Sequence, residues 1–306
     1  MVSQFKNLIQ LLDYFKEEKT CIEYLAKSRW NDEPACPHCG NVGAYVTNRG
    51  YKCKAKECHK KFTVTTGTIF ENTKISLRYW FGAIYLATAH KKGISSLQLS
   101  RDLNITQKTA WFLLHRVREM LTENAPEMLT GTVEIDETFV GGKNKNRHEK
   151  KKIANSQGRS SADKTAVVGL LQRDGKVITH VVADTDATTL HYLAYTNVHQ
   201  DATIITDAYH SYKGLGKVYD HMSVKHTEGN YITEGSKHTN NIEGFWSQLK
   251  RGIVGIYHQV SPKHLHRYCH EFGYKYNTRK QLDTFRFEET IKRAEAKRLT
   301  YANLIK

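Results

Sequence analysis

Apolar positions along the chain recur with two periods, and the two periods divide it. Phe5, Leu8, Ile9, Leu12 and Phe15 fall at i, i+3, i+4, i+7 and i+10, one face of a helix that needs a partner surface. A second short helix is expected from Glu23 to Ser28. Leu77 to Lys91 carries Trp80, Phe81, Ile84, Tyr85 and Ala87 and is stopped by Gly93, so it reads as a longer helix. Ser95 caps a short segment from Ser96 to Leu103. After the turn Asn104-Ile105-Thr106, Thr106 is a good N-cap for a helix from Gln107 to Leu121, with Trp111, Leu114, Val117 and Met120 inward. Past Pro126 the period changes. Val133 and Ile135 alternate with acids, which is a strand. The runs 166–171 and 177–182 are two more strands, joined at the hairpin signal Asp174-Gly175. A helix from about Ala187 to His199 follows, then a short buried strand ending at Asp207 and a weaker strand from Val218 to Lys225. Helices over Ile242 to Lys250, over Pro262 to Arg279 and over residues 285–306 complete the pattern.

Helix, short turn, helix is the layout of a DNA-reading motif, with the second helix in the major groove. Gln107, Lys108, Thr109 and Arg116 are its polar candidates; a plain helical bundle is the alternative. The formal charge of +15 and pI of about 9.4 favour a polyanion as partner, and nucleic acid is the commonest. No apolar run approaches the roughly 18 residues of a membrane span, and Met1 to Lys6 lacks the pattern of a secretory leader. A cytoplasmic protein, nucleoid-associated when on DNA, is expected.

Four of the six cysteines lie within 23 residues. Cys36-Pro37-His38-Cys39-Gly40 precedes Cys53 and Cys58, so two tight turns offer the four thiolates of a tetrahedral Zn²⁺ site. Reduced thiols without metal are disfavoured, because residues 30–65 hold too few large apolar side chains to fold unaided. Lys52, Lys54, Lys56, Lys60 and Lys61 surround the site and point the ribbon toward DNA, against the reading of a solvated basic face. Cys21 and Cys269 read as ordinary part-buried thiols.

Three strands, a helix, two strands and a helix are the order of an RNase H-like fold. The expected architecture is therefore α/β. A mixed five-stranded sheet with helices follows a zinc ribbon and a helix-turn-helix, with boundaries at 1–75, 76–125, 126–284 and 285–306. In that topology the first and fourth strands are neighbours, so an acid of the cluster Glu134, Asp136 and Glu137 can meet Asp207. Alternation sends Glu134 and Asp136 to one face and Glu137 to the other. A helix bearing Glu243 crosses beside them, with Lys250 two turns further along the same face. Converging carboxylates repel unless cations bind, and oxygen-rich sites select Mg²⁺ or Mn²⁺. Each acid also has a plain structural reading: Asp136 a surface acid, Asp207 a helix cap, Glu243 an exposed helix residue.

Here the chain resembles the insertion-sequence transposases of the zinc-ribbon plus DDE type. The motifs that carry the resemblance are Glu134-Ile135-Asp136-Glu137-Thr138, Thr206-Asp207-Ala208-Tyr209, the run Asn240 to Gly252, Val260 to Leu265 and the Cys-Pro-x-Cys-Gly ribbon. The resemblance covers roughly Tyr24 to Arg279. It implies Asp136, Asp207 and Glu243 as the metal-binding acids, and the 35 residues between Asp207 and Glu243 suit it. It implies Lys250 as a DNA-contacting lysine, with Arg251 beside it. It also implies a homodimer or larger assembly on DNA, and cleavage at transposon ends followed by strand transfer. The basic stretch with Lys143, Lys145, Arg147, Lys150, Lys151 and Lys152 is placed to hold phosphates, or is a solvated insert. The rival readings are a DNA-binding regulator with an inert core and a nuclease that does not join strands.

Overall fold

The computed structural model describes residues 5–123, 126–141, 148–151, 164–224 and 238–306. In chain order the elements are α1 Leu8–Tyr14, α2 Glu18–Trp30, β1 Ala44–Thr47, β2 Gly50–Cys53, β3 Lys61–Phe62, α3 Leu77–Ala89, α4 Ser96–Asp102, α5 Gln107–Met120, β4 Thr132–Val140, β5 Thr165–Gln172, β6 Val177–Val182, α6 Ala187–Asn197, β7 Thr203–Asp207, β8 Asp220–Val224, α7 Asn240–Gly252, α8 Leu265–Asn277, α9 Asp283–Lys292 and α10 Tyr301–Ile305. They form two compact units. One takes the chain up to Leu121 together with residues 280–306, and the other takes Thr122–Arg279. No described helix is long and apolar enough to cross a membrane.

The first unit combines a three-stranded ribbon, β1-β2-β3, with seven helices. Its helical core is aromatic. Phe15 packs edge-on against Phe81 at 4.7 Å, and Phe5 against Phe287 at 5.4 Å, all four buried. α1 begins only at Leu8, so the face expected from periodicity shifts. Leu11 is buried, whereas Ile9 is 73% exposed. α2 is longer than expected, thirteen residues ending in a left-handed Asn31. The caps foreseen for the helix-turn-helix are present: Ser95 accepts from the Gln98 N–H at 3.0 Å and Thr106 from the Thr109 N–H at 3.3 Å.

One continuous helix over 285–306 does not form. The chain breaks between α9 and α10 where Ala296 takes a φ of 55° and donates its N–H to the Gly67 carbonyl at 3.0 Å. Phe287, Ile291 and Leu304 bury themselves in the helical core, which is why this segment belongs to the unit built by the N-terminal half.

The second unit is a five-stranded sheet in the order β6-β5-β4-β7-β8. β4, β5 and β6 form an antiparallel meander, and β7 and β8 run parallel to β4. This is the RNase H-like arrangement. Val133, Ile135, Val168 and Leu170 pack with α6 residues Leu190 and Ala194 on one face. Val167 and Leu171 pack with α7 and α8 residues Ile242, Phe245, Trp246, Leu249 and Phe272 on the other. The apolar stripe of α7, at i, i+3, i+4 and i+7 from Ile242, sets its rotation against the sheet. Beyond Gly252 the helix widens into a π-turn, Ile253–Tyr257.

Gly169 is the contact that lets α7 come down onto the sheet. It stands opposite Asp136 in the β4–β5 register, and the Trp246 indole lies over it. A Cβ there would sit 2.6 Å from Trp246 Cζ2 and 2.7 Å from Cη2, closer than packed carbons tolerate. Gly169→Ala is expected to destabilise the second unit by about 1–3 kcal/mol through overpacking. A fall in the urea midpoint checks this; an unchanged midpoint would show that the indole moves aside freely.

Candidate active site

The parallel pairing of β4 with β7 brings two acids side by side. Ile135 lies opposite Thr206, and Asp136 and Asp207 are the next residue on each strand. Glu137 joins them: one carboxylate oxygen from each of Asp136, Glu137 and Asp207 lies within 4.8 Å of the others. Alternation along β4 holds, and it divides the partners. Asp136 faces α7, where the Trp246 indole N–H donates to its Oδ2 at 3.0 Å. Glu137 faces the α6 side and accepts from the buried Tyr212 hydroxyl at 2.8 Å. At the strand end both can still reach toward Asp207, whose Oδ1 accepts the Tyr209 N–H at 2.9 Å.

The electrostatics follow from this crowding. Burial, then the charges of Glu137 and Asp207, push the Asp136 carboxyl up to about 7, against the opposing pull of the Glu137 backbone N–H and the Trp246 N–H. Burial and the adjacent Glu137 also raise the Tyr212 phenol well above its ordinary range, so it stays a hydrogen-bond donor. A divalent cation suits the three carboxylates: all are hard oxygen donors, and a positive charge among them removes their mutual repulsion. A cavity of about 370 Å³ opens between the strand ends that follow, lined by Phe139, Tyr209, His210, Asp184 and Asp186.

Glu243 is brought to the same side of the sheet but not into the cluster. It is exposed on the first turns of α7, and its carboxylate accepts from the Thr239 hydroxyl at 3.3 Å. Among the described residues, the cluster is Asp136, Glu137 and Asp207. Lys250 is exposed at the other end of α7, and the Arg251 guanidinium bends back to the Ser247 carbonyl at 3.1 Å.

What residue reading missed is the set that supports the acids. Glu134 is buried and accepts from Arg173 Nε at 2.8 Å and from the backbone N–H groups of Asn241 and Ile242 at 3.1 and 3.0 Å. Trp246, Tyr212 and Gly169 complete that set. Of these, Glu134 stands in the sequence as one of the candidate acids but is drawn away to Arg173 and α7, and Gly169 leaves a signal as a glycine inside an apolar strand, which marks close approach of another group.

In the ribbon, Cys36, Cys39, Cys53 and Cys58 converge, with sulfurs 3.9 Å apart for Cys36–Cys58 and 3.6 Å for Cys39–Cys53. A tetrahedral zinc with sulfurs about 2.3 Å away sets them about 3.8 Å from one another, so the site fits the ion. Gly40 takes a φ of 75° and bonds back to the Cys36 carbonyl at 2.8 Å, closing the first turn.

The residues expected to face DNA separate. Gln107 and Lys108 are exposed at the start of α5, where the Gln107 amide donates to Ser96 Oγ at 2.8 Å and the Lys108 ammonium lies 4.8 Å from the Tyr301 ring centre. Thr109 is half-buried beside Thr106. Arg116 corrects the expectation. It is 8% exposed, 4.8 Å from the Trp80 ring centre and 5.3 Å from that of Phe112, and donates to the Glu71 carbonyl at 3.3 Å. Three turns along α5, its side chain points into the helical core, and burial lowers its pKa to about 10. Lys143 and Lys145 lie outside the described residues; Lys150 is exposed in the short 3₁₀ turn Glu149–Lys151 that also holds Lys151.

Residues 128–277 match the ISXO2-like transposase domain, and residues 16–61 match the transposase zinc-ribbon domain. An uncharacterized protein in transposable element ISH50 of Halobacterium salinarum is 29% identical over 273 residues, covering 84% of this chain and 90% of that one. Among solved structures, a pre-cleavage Mos1 transpososome is 14% identical over 66% of this chain and 75% of that one, with a TM-score of 0.22. A simian T-cell lymphotropic virus intasome in complex with PP2A regulatory subunit B56 gamma is 11% identical over 58% and 63%, with a TM-score of 0.28. The two domain matches fall on the ribbon and on the acid-bearing sheet, in that order, and the chain belongs to the insertion-sequence transposases that join a zinc ribbon to an RNase H-like DDE domain.

Proposed function

We propose that this transposase cuts DNA at the ends of its element and joins the freed 3′-hydroxyl to target DNA, using Mg²⁺ or Mn²⁺. The observation that carries the reading is the convergence of Asp136, Glu137 and Asp207 at the ends of β4 and β7. Divalent cations bound there would polarise the scissile phosphate and lower the pKa of the attacking oxygen. In the first step a water oxygen attacks phosphorus, and the bond to the 3′-oxygen breaks, leaving a 3′-hydroxyl and a 5′-phosphate. In the second the 3′-hydroxyl attacks a target phosphodiester and displaces a target 3′-oxygen, which takes up a proton. Both steps are in-line displacements at phosphorus, so one acid cluster serves both.

Asp136 and Asp207 hold the cations, with Glu243 as the third acid, as the family's motif implies. Glu137 is the acid that the folded chain adds to the set. The Trp246 N–H fixes the rotation of the Asp136 carboxylate. Lys250, on the exposed side of α7, steadies a phosphate, with Arg251 beside it. Gln107, Lys108 and Thr109 at the start of α5, the lysines around the ribbon and the basic stretch after β4 bind the DNA, and two or more copies hold the two ends together. A DNA-binding regulator with an inert core is disfavoured by the convergence of Asp136, Glu137 and Asp207, because a sheet that did no chemistry would gain nothing from three crowded acids.

Asp136→Asn and Asp207→Asn are each expected to lower Mg²⁺-dependent cleavage of end-bearing DNA by more than about 100-fold, beyond what losing a hydrogen bond near a metal does. Intact joining in either variant would overturn the assignment; cleavage without joining in the unaltered protein would make it a nuclease. Glu243→Gln is expected to fall as far, and Glu137→Gln by only about 10-fold, since Tyr212 already engages one of its oxygens. The reverse order in the same assay would make Glu137 the third acid. For the ribbon, Cys39→Ser is expected to abolish bound zinc by metal analysis and to weaken end binding in a gel-shift titration. Full binding without zinc would remove the ribbon's role.

A further inference from the structure

We infer that Glu134 is a positioning residue of the transposition site, holding the start of α7, and with it Glu243 and Lys250, in register with Asp136. The inference rests on the reading that this site cuts DNA. Glu134 has no exposed side-chain surface, and its carboxylate collects four donors: Arg173 Nε at 2.8 Å, Asn241 Nδ2 at 2.8 Å, and the backbone N–H groups of Asn241 and Ile242 at 3.1 and 3.0 Å. First-turn N–H groups have no acceptor within their own helix, and the flanking Thr239 gives α7 no side-chain cap. Glu134 supplies that cap from a neighbouring strand, where a negative charge also suits the helix dipole. Arg173 neutralises it and ties in the preceding residue by donating to the His238 carbonyl at 2.7 Å.

A second tie lies further along the same two elements, where the Trp246 indole bonds Asp136. The two ties match in length. From the Asn241–Ile242 pair to Trp246 is about 6.8 Å of helix rise, and from Glu134 to Asp136 is about 6.7 Å of strand. α7 is therefore pinned to β4 at two points and cannot slide along it. Glu243 follows Ile242 directly, between the two ties. Releasing the first tie lets the turn that bears Glu243 pivot about Trp246, while the apolar face of the helix stays buried.

The test uses the full-length protein, duplex DNA carrying the element's ends, and Mg²⁺. Glu134→Gln keeps the shape and one acceptor but removes the charge facing Arg173. It is expected to lower kcat for cleavage about 10–100-fold and to raise the Mg²⁺ concentration for half-maximal rate, with KM for DNA unchanged. Glu134→Asp keeps the charge and is expected to recover part of the loss. A residue that only stabilised the fold would lower Tm and the yield of folded protein, and would leave kcat per folded molecule and the Mg²⁺ requirement alone. That result would overturn the inference. Should Glu134→Gln fail to fold, Asn241→Ala removes one of the four bonds without touching the carboxylate, and the same two readouts are expected to move in the same direction; unchanged values would overturn the inference. Asp136→Asn separates the two levels. If it is inactive while Glu134→Gln is unimpaired, the positioning role fails and the site stands. If it still cleaves, the reading of the site fails.

Discussion

Like charges crowded at the end of one strand are the constraint on which the second unit is built. β4 carries Glu134, Asp136 and Glu137, and β7 adds Asp207 beside them. Each acid is placed by a separate partner. Arg173 and the α7 N-terminus take Glu134, the Trp246 indole takes Asp136, the Tyr212 hydroxyl takes Glu137 and the Tyr209 N–H takes Asp207. Two of these five partners come from α7, two from the segment that follows β7, and Arg173 from the turn between β5 and β6. The packing of both faces of the sheet thus converges on holding Asp136, Glu137 and Asp207 where they repel one another, while Glu134 is paired with Arg173. That arrangement is unfavourable for a protein alone and favourable for one that binds divalent cations.

The same joint links fold to chemistry through a missing side chain. Gly169 leaves room for the Trp246 ring, the ring brings its N–H to Asp136, and the close approach of α7 puts its first amides within reach of Glu134. The contacts along α7 are therefore coupled, and a change at one is felt at the others. In the first unit the organising role falls to sulfur and aromatic rings. Four cysteines close a ribbon whose small core is Cys36, Cys53 and Phe62, and the helical core gathers Phe5, Phe15, Phe81 and Phe287 from both ends of the chain.

Much of this was legible in the residues because it is local. The ribbon's four cysteines announce their partners by spacing, helix starts such as Ser95 and Thr106 by their side chains, and the β-meander by Asp174-Gly175. The order of strands led to the sheet, and the sheet brought Asp136 beside Asp207. Arg116 shows where local reading stops. Periodicity marks a polar residue on a helix as outward, and only the packing of Trp80 and Phe112 turns its guanidinium inward. The C-terminal segment is a second case: its charge pattern suits one helix, and a backbone bond from Ala296 to Gly67 breaks it.

By itself the sequence determined the element order, the four cysteines of the ribbon and the acids available for chemistry, since each depends on residue type and spacing along the chain. The tertiary structure alone decided which acids converge, because a carboxylate's neighbours are set by strand register and helix docking across more than a hundred residues. It drew Glu137 into the cluster, left Glu243 exposed on α7, and buried Glu134 as the cap of a helix that starts at Asn240. No spacing rule connects residue 134 to residue 241; the bond exists because β4 and α7 share one face of one sheet.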